Sequence, residues 1–288
     1  MGRSGKRRED VPSAIKLEVR QRCGFGCVVC GCPIYQYDHM QDYSKVLKHE
    51  AENITLLCPT HHTEKTNKLM PLDRIYEANA NPFNHRSGIT TAHALSFGLQ
   101  RPKIIVGSMM FTSDTTDFAA VVIDGNPLVG FSFREGHALL QIRLYDERNR
   151  LVLKVQDGEL VHTTNVWDCS FVGSTLTVRR AARDIMLRMR LSPNANLVEI
   201  DRGSLQHNGI QVEIWPDLCA VLNTAFVLSD IAMVSPIGFL IGKNPRNYTG
   251  AFEFGDELPR QIDREAKLKS LAQYRKDELA TQQGDSSP

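Results

Sequence analysis

Two short-spaced ligand pairs constrain this chain more than any other feature: Cys27-Val28-Val29-Cys30 and Cys58-Pro59-Thr60-His61. Zinc takes four nitrogen or sulfur ligands in a tetrahedron, and two close pairs on separated turns supply that geometry. The chain between them must therefore fold back until the knuckles meet. Cys23 and Cys32 are competing thiols in the same region, but neither makes a two-residue spacing outside the overlapping set, and we read them as bystanders. The cysteines at 23, 27, 30, 32, 58, 169 and 219 are odd in number and crowd toward the N-terminal end. With no export-like apolar stretch in residues 1–10, this pattern suits thiolates on metal in a reducing, cytoplasmic setting better than a secreted disulfide framework.

A second polar set is interleaved with the first: Asp38-His39, Asn53 and His62. His61 and His62 are adjacent on an expected helix, so their side chains leave it about 100° apart. One imidazole can complete the zinc knuckle while the other faces elsewhere. One carboxylate with one imidazole suits a harder divalent ion such as Mg2+ or Mn2+. A further imidazole nearby can act as a general base because its ordinary pKa is near neutral.

The local patterns give an element order. Pro12 precedes a short amphipathic helix over residues 12–22, closed by Gly24 and Gly26. Ile34–Met40 and Asn53–Cys58 have strand-like composition, and Pro59 opens a helix carrying His61, His62, Lys65 and Lys68. That helix continues, or restarts at Leu72, to about Ala80. On an ordinary strand Asp38 and His39 would face opposite sides, so a shared site needs a bend or an ion near the strand end.

Cys27-x2-Cys30, Tyr37-Asp38-His39, Glu52-Asn53-Ile54-Thr55-Leu56-Leu57-Cys58 and Pro59-Thr60-His61-His62 followed by Lys65-Thr66 resemble the HNH endonuclease family, with its ββα-metal fold. The resemblance covers residues 12–70. It implies metal-dependent hydrolysis of DNA phosphodiesters, with name-giving positions at His39, Asn53 and His62. It further implies that His39 is the general base, that Asp38 and His62 hold Mg2+ or Mn2+, and that Asn53 positions the loop around His39. Cys27, Cys30, Cys58 and His61 are then the structural zinc ligands. Lys65 and Lys68 are candidate DNA-phosphate contacts, with a solvated helix face as the competing reading.

The rest of the chain reads differently. Length (288 residues) and an ordinary 42% hydrophobic share leave room for a second core. Residues 1–70 carry 11 Lys+Arg against 8 Asp+Glu, whereas residues 71–288 carry 23 against 25, so the basic excess lies with the ligand cluster, as expected near phosphate. From 103 onward the apolar period changes to two, punctuated by Asp124-Gly125, Asp157-Gly158 and Asn208-Gly209. The apolar run Leu218–Ile241 contains Asn223, Asp230 and Pro236, which argues for buried core segments and against a membrane span.

The expected class is α+β: a zinc-stabilised ββα-metal domain, an all-β domain (sandwich or solenoid-like), and a C-terminal helix. The boundaries are a basic tail at 1–10, the HNH domain at 11–80, a linker at 81–102 with a short helix over 92–99, the β domain at 103–245, and a terminal segment at 246–288. The helix at 259–281 carries a thin apolar stripe that could dock on the β domain or pair two subunits into a homo-oligomer. Arg188 and Arg190 could form a basic stripe, against the simpler reading of a solvated sheet face. The functional expectation is a DNA-cutting defence or restriction nuclease of bacterial or phage type, targeted or regulated by its β domain through a small molecule or modified base. The alternative is a non-catalytic, zinc-stabilised DNA-binding or adaptor protein.

Overall fold

The computed structural model describes residues 10–41, 43, 48–98, 101–113 and 117–284, with side chains through Asp277. The basic tail before Asp10, Leu99 at the end of the helix expected over 92–99, and the terminal residues 285–288 lie outside the described residues. In chain order the first elements are α1 (Ser13–Arg22), β1 (Gln36–His39), β2 (Ile54–Leu57), α2 (Pro59–Thr66), α3 (Leu72–Ala80), α4 (Phe83–Ser87) and β3 (His93–Ala94). Then come β4 (Lys103–Val106), β5 (Met109–Thr112), β6 (Phe118–Ile123), β7 (Asn126–Arg134), β8 (His137–Tyr145), β9 (Leu151–Gln156), β10 (Glu159–His162), β11 (Asp168–Val172) and β12 (Thr175–Ala181). The last are β13 (Asp184–Ser192), β14 (Leu197–His207), β15 (Ile210–Trp215), β16 (Leu218–Val221), β17 (Phe226–Leu228), β18 (Ala232–Val234), β19 (Ile237–Ile241), β20 (Phe252–Phe254) and α5 (Arg264–Gly284). The result is a mixed α+β, sheet-rich chain.

These elements gather into two compact units. One runs up to Ala94 and takes in Leu160–Asp184; the other joins Leu95–Glu159 to the residues from Ile185 onward. Residues 81–94, expected as linker, belong to the first unit, as does the β11–β12 segment from the β-rich half. Period-two patterning marks strands but carries no information about which neighbour they pack on. The helix expected over 92–99 is replaced by β3, and the Leu95 N–H donates to the Gly158 carbonyl.

In the first unit β1 and β2 are antiparallel, with Tyr37 opposite Leu56 and His39 opposite Ile54. α2 follows at once, begun by Pro59, whose missing N–H would be unpaired in a first turn anyway. Ile54, Leu56 and Leu57 of β2 pack with Val19 of α1, Val28, Met70 and Ile75 of α3 in one small core. The β11–β12 hairpin is tied to α1 by a forked ion pair: Arg20 Nε and Nη2 lie 2.7 and 2.8 Å from the two oxygens of Asp168. Arg20 Nη1 also donates to the Tyr37 hydroxyl at 2.6 Å, and both partners of the ion pair are nearly closed to solvent.

In the β-rich unit, β20, β19, β6, β7, β8 and β9 lie side by side, while β13 to β17 form a second run extended by β4, β5 and β18. The rings of Phe111 (β5) and Phe239 (β19) meet edge to face between the two. Asp124-Gly125, Glu135-Gly136, Asp157-Gly158 and Asn208-Gly209 all have positive φ at both residues, the type I′ geometry of two-residue hairpins. Only Glu135-Gly136 lacks the Asn or Asp that signals such a turn. Arg188 and Arg190 pair with Asp201 and Glu199 on β14, so that face is a solvated ion-pair lattice and not a basic stripe. Leu268 and Leu271 of α5 pack on Leu218, Ala220 and Leu222, so the apolar stripe docks on its own chain at these positions. The apolar run 218–241 resolves into short strands, and no helix is long and apolar enough to cross a membrane among the described residues.

Two expectations follow. Burial pushes the His162 imidazole down to about 4, against the weaker opposing effect of its contact with the Thr163 carbonyl. Between pH 6.5 and 4 the unfolded chain then binds a proton that the folded chain does not, so stability falls with pH by about 3 kcal/mol across that window. Thermal melts of His162→Phe should be flatter than wild type over it; parallel curves would refute the assignment. Asp168→Ala strands a buried guanidinium and should cost about 3–5 kcal/mol in denaturant unfolding.

Candidate metal centre and active site

The first knuckle is shaped by its backbone. Gly31, at φ +78°, donates its N–H to the Cys27 carbonyl, and the Cys27 N–H donates to Cys32. The Val28 N–H bonds the Leu56 carbonyl at 3.0 Å, which docks the knuckle on β2. Residues of the expected linker support it from behind. The Phe83 N–H donates to the Val28 carbonyl, and buried Asn84 donates to the Gly24 carbonyl at 2.9 Å. The second knuckle forms because Cys58 and His61 flank the first turn of α2, three residues apart on one face.

The knuckles converge. The ligand atoms of Cys27, Cys30, Cys58 and His61 all lie within 4.8 Å of one another. Cys30 Sγ is 3.8 Å from Cys58 Sγ, and His61 Nδ1 is 3.3 Å from Cys27 Sγ and 3.2 Å from Cys58 Sγ. A zinc tetrahedron with Zn–S arms of about 2.3 Å has sulfur–sulfur edges of about 3.8 Å, so the donor set fits zinc. The Cys30 thiol and knuckle backbone N–H groups pull Cys27 down to about 5 despite its burial, giving a thiolate ready for a cation. Cys23 and Cys32 stand outside the cluster: Cys23 Sγ faces Thr55 and Asn79, and Cys32 Sγ faces His93.

His62 turns the other way. Its Nε2 lies 3.4 Å from Asp38 Oδ1. An octahedral ion with arms of about 2.1 Å has adjacent ligands about 3 Å apart, so this carboxylate–imidazole pair is spaced for a hard divalent ion. Lys65, one turn on from His62, puts Nζ 2.5 Å from Asp38 Oδ2 and also donates to the His39 carbonyl. Its ammonium is therefore turned inward to the carboxylate, where the sequence suggests an outward phosphate contact. Lys68, exposed and at φ +61°, lines the open cleft above.

Asp38 and His39 are the last two residues of β1, both almost fully buried, and both border that cleft of about 690 Å³. The strand stops there because Asn53 takes over the next backbone groups. The Asn53 carbonyl accepts from Met40 N–H, and its side-chain oxygen accepts from Gln41 N–H at 2.9 Å. Arg22 in turn donates to the carbonyls of Ala51 and Ile54 on either side of Asn53. His39 Nε2 is 3.2 Å from His49 Nδ1, and the ring of Tyr43 stacks on His49 and meets His39 edge on. Arg22, Tyr43 and the inward direction of Lys65 escape a reading of the sequence. His49 is visible there only as a loop histidine beside Glu50, for which a surface pair is a better reading than a metal or phosphate contact.

Residues 27–68 match the family model described as HNH endonuclease. Comparisons with curated proteins and with solved structures find no match to this chain. The matched span begins at the first knuckle cysteine and ends at Lys68, so it contains the Cys27, Cys30, Cys58 and His61 cluster and the Asp38–His62 pair.

Purified protein should carry about one zinc per chain by elemental analysis. Cys58→Ser should lose most of it and melt well below wild type, because structural zinc binding is also folding energy, about 10–16 kcal/mol in small zinc domains. Full zinc occupancy in Cys58→Ser would refute the ligand set.

Proposed function

We propose that the first unit is a metal-dependent HNH endonuclease that hydrolyses DNA phosphodiester bonds, and that the β-rich unit targets or regulates it. The observation that carries the reading is the division of α2. His61 faces the thiols of Cys27, Cys30 and Cys58, whereas His62 faces Asp38, which together with His39 borders the cleft. A purely structural zinc module has no use for the second set.

Asp38 and His62 would hold Mg2+ or Mn2+. When bound, such an ion supplies Lewis-acid stabilisation of the charge on the scissile phosphate. His39 would take the proton of the attacking water as the new oxygen–phosphorus bond forms and the bond to the 3′ oxygen breaks; the leaving oxygen takes a proton from solvent, giving a 5′-phosphate and a 3′-hydroxyl. Asn53 holds the backbone just beyond His39, so the imidazole is presented from a fixed strand end. Lys65 would release Asp38 to the ion and keep positive charge beside the phosphate; Lys68 would meet the DNA backbone at the rim.

One observation favours the non-catalytic alternative, a zinc-stabilised DNA-binding or adaptor module. Lys65 already satisfies the Asp38 carboxylate at 2.5 Å. Plasmid nicking separates the two readings. With Mg2+ or Mn2+ the wild type should nick, EDTA should stop it, and His39→Ala should fall by about a hundredfold or more with zinc content unchanged. If His39→Ala and wild type behave alike under every metal, the catalytic reading falls and the adaptor reading stands.

A further inference from the structure

The β-rich unit contains an open cleft of about 500 Å³ on the exposed face of its first sheet, within the usual range for small-molecule sites. Its floor follows from the strand register. Ile237, Ala119, Gly130 and Gln141 stand opposite one another in a row across β19, β6, β7 and β8. The two middle positions are the smallest side chains available, so the sheet is hollowed there. Gly130 is obligatory, since a Cβ would run into the carbonyl oxygen of Phe118. Tyr248 packs on Ala119, Val122, Ile237 and Leu240 and makes an aromatic wall over this apolar floor.

The polar groups around the floor are unusual for this unit. Arg150, Arg188, Arg190, Arg260, Arg264 and Arg275 each pair with a carboxylate. Arg143 and Arg246 do not: Arg143 donates to the Pro127 carbonyl at 2.9 Å, and Arg246 donates to the Tyr248 hydroxyl at 2.9 Å while lying over its ring. Arg143 and Arg246 thus line one cleft while bonded to neutral oxygens; the same cleft holds Arg134 paired with Asp157 at 3.2 Å, and Asp117, whose Oδ1 accepts from the Phe133 N–H, so guanidiniums outnumber carboxylates there by three to two. At the other side Gln141 Nε2 donates to Ser132 Oγ and Asp157 Oδ1, which holds the amide still and leaves its carbonyl oxygen as an acceptor. Gln156 adds an amide at the rim with no protein partner among the described residues.

Apolar floor, aromatic wall, one fixed amide and two guanidiniums outside any carboxylate pair are the complement of a flat heterocycle carrying an anion. We propose that this cleft binds a nucleoside phosphate, with the phosphate on Arg143 and Arg246 and the base on the floor beside Tyr248, edged by Gln141 and Gln156. A free nucleotide and a nucleotide within a single strand share this chemistry. The inference stands on the β-rich unit alone, deepening its assignment as a targeting or regulatory module, and it does not depend on DNA cleavage by the first unit.

Calorimetric titration of the full chain tests it, using the nucleoside 5′-monophosphates, the matching nucleosides, inorganic phosphate and a short single-stranded oligonucleotide. At least one monophosphate or the oligonucleotide should bind in the micromolar range, and the nucleoside and phosphate about tenfold or more weakly. Loss of a charge-assisted contact in Arg246→Gln or Arg143→Gln should weaken binding about tenfold or more. Arg246 is exposed, so Arg246→Gln should melt like wild type without ligand. Binding by the oligonucleotide alone, weakened in both variants, assigns the strand as the source. No binding of any nucleotide at millimolar concentration, or undiminished binding in both variants, overturns the proposal. Because the readout is heat of binding, a nicking assay that fails leaves this result intact, and the reverse also holds.

Discussion

The convergence of Cys27, Cys30, Cys58 and His61 is the constraint on which the first unit depends. Its elements are short: four-residue strands and an eight-residue helix, with a core of about a dozen buried side chains. A helix of that length is marginal alone, and a core of that size gives little margin against chain entropy. Drawing the knuckle and the first turn of α2 to one point fixes the helix in rotation as well as position. Once His61 is directed at the thiols, the helical increment turns His62 about 100° away from them, toward Asp38 at the end of β1. The structural ligands thus aim the second set.

The second set depends on backbone control more than on its own side chains. Asp38 and His39 are consecutive on a strand and reach one cleft because β1 ends beneath them. Asn53 ends it by bonding the groups of Met40 and Gln41, and Arg22 holds the turn that carries Asn53. Lys65 keeps the nearly buried carboxylate of Asp38 compensated, as a charge in that setting requires. His49 and Tyr43 enclose His39 with rings, so its orientation is set by packing as well as by the strand.

The β-rich unit handles charge in two ways. On most of its surface arginines meet carboxylates across strands or from α5, and such exposed pairs contribute little to stability. Around one hollow in the sheet the Arg134–Asp157 pair persists, but Arg143 and Arg246 bond to neutral oxygens beside an apolar floor. The same periodic pattern produces both regions; register and the small side chains of Ala119 and Gly130 separate them.

Spacing alone made the ligand set of the knuckles legible, because metal coordination demands two close pairs. Pro59, the Asp-Gly and Asn-Gly turns and the period-two stretches likewise carried the order of hairpin, helix and later strands, since these signals are local. Several features came only with the tertiary structure. These are the inward turn of Lys65, the rings around His39, the support of the knuckle by Asn84, and the return of β11–β12 to the first unit through Arg20 and Asp168. Each depends on a contact between residues distant in sequence, or on which way a side chain faces once helix rotation and strand register are set. Residues 27 to 62 therefore announce the zinc-type cluster by spacing and the different directions of His61 and His62 by helix geometry, whereas the contacts that place Lys65, Asn53 and the rings around Asp38 and His39 needed the folded chain.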